Sequence, residues 1–268
     1  MVRTLESAQE QYSLVTAERE LLRGTLRASI RVLTDVLSLI NPEAFGRAER
    51  VKRLAMYVGD GLKLKSKLKL ELAAMLSQIG CVTLPDTLLK KVFFGEELSE
   101  EEQKAYNTHP QVAAQLLDNI PRMDAVSAII LDQETPLEER HSQSIESRIL
   151  KACLDYDTLI QRGLGKFDAI DELRSRQGWY DSVVIDVLER GTSGEEGYIR
   201  REVELKDLRP GMILDHSLWS TDEVHLMGIG MEVTETALLR LKNFMRNKEL
   251  PESIRVLIPI DPNQDSGD

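Results

Sequence analysis

An imidazole and two carboxylates, His109, Asp132 and Glu134, are the side chains here whose types hold a divalent cation or move a proton. Three such donors without further partners hold an ion only weakly, and each has an ordinary structural reading. His109 precedes Pro110 at a helix start, where it caps or packs, and Asp132-Gln133-Glu134 reads as a solvated acidic loop. Ser77 has no general base at a recognisable spacing, so a nucleophilic role has no support. Cys81 and Cys153 stand outside any CxxC pair, which removes a zinc site and a disulfide scaffold, and no neighbour lowers either thiol pKa. His141, His216 and His225 lack metal-ligand spacing.

The elements that must position these groups are mostly helical. From Leu5 to Ile40 apolar residues recur in steps of three and four (Leu5, Ala8, Tyr12, Val15, Leu22, Leu26, Leu33, Val36, Ile40), with Arg19 and Ser29 interrupting the seam. A dimeric coiled coil and a helix docked on the following domain both explain that pattern. Asn41-Pro42 ends or bends the helix. Glu43 to Leu188 then reads as a bundle of about six or seven helices, broken at Gly59-Asp60-Gly61, Gly80 to Pro85, Gly95, Asn119 to Pro121, and Pro136. Beyond a Gly- and Glu-rich stretch the period changes. Val203-Glu204-Leu205, Met212-Ile213-Leu214, His225-Leu226-Met227 and Ile254 to Ile258 read as strands, and Thr234 caps a helix with Leu238, Leu241, Phe244 and Met245 on its apolar face. The expected organisation is a signalling helix over 1–41, a helical domain over 42–190, a linker over 191–197, a small α+β module over 198–260 and a disordered tail over 261–268.

Across its 268 residues the chain carries a net charge of −11, which opposes long-range capture of nucleic acid or anionic lipid. The one basic run, Lys63 to Lys69, reads as a solvated helix start. Gly228-Ile229-Gly230 is too short for a phosphate loop and reads as a turn. The polar N-terminus is no secretory signal and no apolar run approaches the ~18 residues of a membrane span, so the expected location is the cytoplasm.

Ala74-Met75-Leu76-Ser77-Gln78-Ile79-Gly80-Cys81, followed by Leu84-Pro85-Asp86 and Leu88-Leu89-Lys90, resembles the HD-GYP signalling phosphodiesterases. In them the same frame reads Leu-Leu-His-Asp-Ile-Gly-Lys, then Ile-Pro-Asp and Ile-Leu-x-Lys. Thr108-His109-Pro110, Arg148-Ile149-Leu150, Tyr156-Asp157 and Gly178-Trp179-Tyr180-Asp181 extend the resemblance. It implies a mainly α, HD-domain-like helical bundle with a long N-terminal helix and a small C-terminal α+β module. It also shows where the chain departs from the family. Arg47 stands at the first metal-binding His, Ser77 and Gln78 at the His-Asp pair, Cys81 at the phosphate-contacting Lys, Asp132-Gln133-Glu134 at His-His-Glu, and Leu154 at the last metal-binding Asp. Of the metal ligands only His109 remains, so the resemblance implies no metal or other cofactor. A guanidinium at Arg47 repels a dication, and is expected to pair with Asp132 or Glu134.

The resulting expectation is a catalytically inactive output domain that acts on protein partners, downstream of a receiver domain or sensor kinase, as the effector part of a longer response regulator. A homodimer through the N-terminal helix belongs to it. A second expectation is a sensor that binds a cyclic dinucleotide without cleaving it, with phosphate contacts from Arg47, Lys90, Lys91 or Arg148. A residual phosphodiesterase with an unfamiliar metal set is the third.

Overall fold

The computed structural model describes residues 2–39, 41–94, 96–139, 142–192, 198–222, 224–246 and 250–259. Gly95, His141, residues 193–197 of the expected linker and the expected tail lie outside them.

Helix α1, Val2–Ser38, is split by its environment. Tyr12 is 76% exposed and Leu21 71%, whereas Ile30 is buried at 4%, so the helix docks around Ile30 and is exposed between Tyr12 and Leu22. Asn41 then caps α2 (Pro42–Gly61): its side chain accepts from the Ala44 amide, and Pro42 occupies the first turn where its missing N–H costs nothing.

The body holds more and shorter helices than the periodicity predicts: α2, α3 (Leu68–Leu76), α4 (Asp86–Phe94), α5 (Glu100–Tyr106), α6 (His109–Leu117), α7 (Asp124–Leu131), α8 (Ile145–Gln161), α9 (Lys166–Ser175) and α10 (Ser182–Thr192). Strong local signals cut them. Ser99 and Glu102 form a reciprocal capping box that starts α5, and Ser144 caps α8 through the Ser147 amide. Gly191 and Thr192, expected in the linker, instead close α10. The basic run spans an exposed turn and enters α3, with Lys67 paired to Asp60. Val58, Leu70, Leu76, Ile130, Ile149, Leu150 and Leu188 meet in the core, each burial contributing about 1.5–3 kcal/mol.

The C-terminal module is built on an antiparallel sheet. Strand β5 (Ser253–Pro259) lies between β1 (Tyr198–Glu204) and β2 (Ile213–Leu214), with Val203 opposite Ile254. A second ladder pairs β3 (Leu218–Trp219) with β4 (His225–Met227), and α11 (Glu235–Arg246) packs its apolar face on Leu214, Val233 and Val256. Thr234 accepts from the Ala237 amide, as its position predicts, whereas two-residue β3 left no alternation to read.

The Gly228-Ile229-Gly230 turn is also a docking point. Arg50 and Arg53 of α2 donate to the carbonyls of Ile229 (2.6 Å) and Gly230 (2.8 Å), and His225 meets Glu43 at 2.8 Å. Gly230 has φ +80°, a left-handed conformation that glycine alone adopts without strain. Helix α1 reaches the module as well, through Arg31–Glu232 at 3.1 Å, while Arg240 donates to the Leu39 carbonyl. No helix among the described residues is long and apolar enough to cross a membrane.

Candidate functional site

The site is assembled by one close approach. After α3 the chain makes a 3-10 turn over Ile79–Thr83, and a Cβ at Gly80 would lie 1.9 Å from the His109 carbonyl oxygen. Glycine there lets the turn carrying Ser77, Gln78 and Cys81 press against the start of α6, which presents His109.

His109 is fully buried, and both its ring nitrogens are engaged. Nδ1 lies 2.7 Å from the Tyr106 carbonyl, which only accepts, so Nδ1 carries the proton. Nε2, left with its lone pair, accepts from the Gln133 amide at 2.8 Å, and the same amide faces the Ser77 carbonyl at 3.4 Å. The imidazole is therefore neutral. Burial, then the facing Arg47 charge, lowers its pKa to about 4. The lone pair that a metal ion would use is spent on Gln133.

Arg47, on α2, is 7% exposed and fills the adjoining space. It donates to the Tyr106 hydroxyl (2.8 Å), the Leu154 carbonyl (3.2 Å) and the Thr158 hydroxyl (2.7 Å), with Asp157 at 3.8 Å. This corrects the expected pairing with Asp132 or Glu134. The reach of the guanidinium is toward α8, where Asp157 also takes a two-pronged contact from Arg50 at 2.6 and 2.9 Å. Burial alone would weaken the Arg47 charge, but Tyr106, Asp157 and Glu134 outweigh it and raise its pKa.

Asp132 is likewise not in a solvated loop. It is 7% exposed, in a 3-10 turn after α7, and receives the Ser147 hydroxyl at 3.1 Å, while Gln133 is fully buried and Glu134 faces solvent. The Ser77 hydroxyl donates to the Ala74 carbonyl at 2.9 Å. Gln78 accepts long contacts from Tyr106 (3.5 Å) and Cys81 (3.7 Å). Burial pushes the Cys81 thiol up to about 12 and raises Cys153 as well, so both are core thiols. Leu154 turns its side chain into the core at 2% exposure.

Three of the four cations proposed for phosphate contact are held by protein acceptors: Arg47 as above, Lys91 by Glu102 (2.6 Å) and Arg148 by Asp181 (2.9 Å). Lys90 is exposed beside Asp86, Glu43 and His225. The sequence reading missed Tyr106, Thr158 and a polar knot on α8, in which buried Lys151 contacts Asp155 at 3.0 Å and sits 5.1 Å from the Trp179 ring centre. Tyr180 donates to the same Asp155 at 2.7 Å. A lysine inside the apolar run Ile149-Leu150-Lys151-Ala152-Cys153 was the available signal.

A metal centre of the kind held by the family that the sequence resembles does not fit these residues. Its one remaining imidazole is spoken for, a guanidinium lies alongside, and among the described residues no three His, Cys, Asp or Glu side chains are grouped to hold an ion.

No curated protein matches the chain. Among solved structures, Bd1817, an HDGYP protein from Bdellovibrio bacteriovorus, superposes with a TM-score of 0.50 at 19% identity, over 56% of this chain and 53% of its own. This chain thus spans about half the length of that protein, and the likeness is one of fold. The HD domain of the L. monocytogenes phosphodiesterase PgpH gives 0.46 at 14% identity over 60% of this chain and 97% of its own. Its complex with cyclic-di-AMP gives 0.45 at 12% identity over 61% and 96%. The sequence profile of the HD domain matches residues 31–184, from the docked half of α1 into α10, a span that includes Arg47, His109, Gln133 and Asp157. The chain belongs to the HD domain family.

Proposed function

We propose that this HD domain is a non-catalytic signal-transduction output that acts through protein contacts, as the effector of a bacterial two-component response regulator. The observation that carries the reading is the His109–Gln133 pair: Nε2 at 2.8 Å from a donor amide offers no lone pair to the cation that would activate a hydroxide or neutralise a phosphodiester. Arg47 supports it, because a fixed positive charge beside that imidazole repels a second one.

The exposed stretch of α1 supplies the contact surface. Tyr12, Val15 and Leu22 lie on one heptad seam and are each more than 40% exposed, a pattern that suits a second copy of the helix. An upstream receiver domain or sensor kinase would act through that helix by changing its pairing, and the docked half passes the change to α2, α3 and α11.

The test is metal content by mass spectrometry on protein purified without chelator, followed by hydrolysis of a cyclic dinucleotide with added manganese or iron. Substoichiometric metal and no product are expected. Product that disappears in His109→Ala would overturn the proposal.

A further inference from the structure

A groove of about 370 Å³ opens where α2, α8 and α10 meet β1 and β5, apart from the His109 cluster. It is lined by Tyr57, Tyr156 and Tyr198, of which Tyr57 is exposed, and by Arg50, Arg53 and Lys166 against a single carboxylate, Asp157.

The charges are not equally free. Arg50 is tied to Asp157 at 2.6 and 2.9 Å, and that pair neutralises itself. Arg53 donates to the Gly230 carbonyl at 2.8 Å but has no carboxylate partner among the described residues. Of the two carboxylates that act on it, Glu49 is engaged by Lys52 and Asp157 by Arg50. Burial accordingly lowers the Arg53 pKa, the mark of a cation removed from water without a neutralising anion. Lys166 is exposed and likewise unpaired among the described residues.

We propose that this groove binds a nucleoside 5′-monophosphate, with the phosphate between Arg53 and Lys166 and the base on the tyrosine wall. Two cations without a carboxylate partner match the charge of about −1.5 to −2 on a phosphate monoester better than the single charge of a carboxylate. Tyrosine faces take a planar ring by stacking, which favours a nucleotide over inorganic phosphate. The volume lies at the lower end of the ~300–1,000 Å³ range of small-molecule pockets, which suits one nucleotide rather than two. The inference stands independently of whether the His109 site performs chemistry.

Isothermal titration of the full chain with 5′-AMP, 5′-GMP, adenosine and inorganic phosphate tests it. At least one nucleotide is expected to bind at one site per chain, with adenosine and phosphate at least tenfold weaker. Arg53→Gln is expected to weaken that nucleotide about tenfold or more, Tyr57→Ala about tenfold, and Lys166→Gln severalfold, while remote Lys91→Gln leaves it unchanged. If circular dichroism shows that Arg53→Gln does not fold, exposed Lys166 and half-exposed Tyr57 carry the test. Absence of saturable binding by either nucleotide, phosphate binding as tightly as the nucleotide, or affinity unaffected by Tyr57→Ala and Lys166→Gln would each overturn it.

Discussion

Replacing His109 with glutamine removes the one group near the site whose protonation the fold opposes across mildly acidic pH. In the folded chain its pKa is about 4, and in the unfolded chain it returns to the ordinary value of 6.5. Between those values the unfolded state binds a proton that the folded state refuses, so stability is fully present above pH 6.5 and is lost as the pH falls toward 4. From pH 7.5 to 5.5 the loss assigned to this one imidazole is about 1.3 kcal/mol, close to a tenfold change in the unfolding equilibrium. Other groups respond to pH as well, Asp35 among them, since burial raises its pKa. Comparing wild type with His109→Gln at both pH values cancels their contribution. Urea unfolding followed by circular dichroism is the assay, and the wild-type advantage over the variant should shrink by about 1.3 kcal/mol on acidification. Parallel pH profiles for the two proteins would refute the neutral, doubly hydrogen-bonded imidazole. So would a rise in wild-type midpoint on adding manganese that the variant does not share.

Three further outcomes test the supporting geometry. Asp157→Ala leaves Arg47 and Arg50 buried without their shared anion and should cost about 3–5 kcal/mol, whereas Arg47→Met leaves the Arg50–Asp157 pair intact and should cost about 1–3 kcal/mol in the same unfolding assay. Gly80→Ala should destabilise by about 2–3 kcal/mol, because its Cβ would overlap the His109 carbonyl; Gly24→Ala, with nothing within 4 Å of the new methyl, should gain about 0.5–1 kcal/mol from helix propensity. Val15→Glu combined with Leu22→Glu should turn a dimer into a monomer in sedimentation equilibrium without changing thermal stability of the monomer, since both side chains are exposed.

What the sequence made legible is what repeats or caps. The α1 seam, Pro42 after Asn41, Pro110 after His109 and Thr234 ahead of α11 all act within a turn or two of themselves, and each marks an element where it stands. The positions of Ser77, Gln78 and His109 were legible for the same reason, since they sit in unbroken local frames. The partners of Arg47 were not: Tyr106 lies 59 residues away and Thr158 lies 111 away, and no periodicity encodes which helix face meets which. Charge alone favoured Asp132 or Glu134, but direction decided against them. Asp132 turns to Ser147, Glu134 turns to water, and α8 presents a carbonyl, a hydroxyl and a carboxylate together on the side that faces α2.

That side of α8 ties two features of the chain to one carboxylate. Asp157 faces Arg47, which closes the space beside His109, and it holds Arg50, which in turn donates to the Ile229 carbonyl of the C-terminal module. The two arginines are neighbours on α2, three positions apart and on one face. A buried guanidinium has to be neutralised and hydrogen-bonded or it destabilises the fold. Here the neutralising group is the same one that orients the arginine docking the module. The residues that fill the space beside His109 and those that fix the α+β module therefore form one continuous network, so a change at Arg47 is felt first at Asp157 and next at the module's Gly228-Ile229-Gly230 turn.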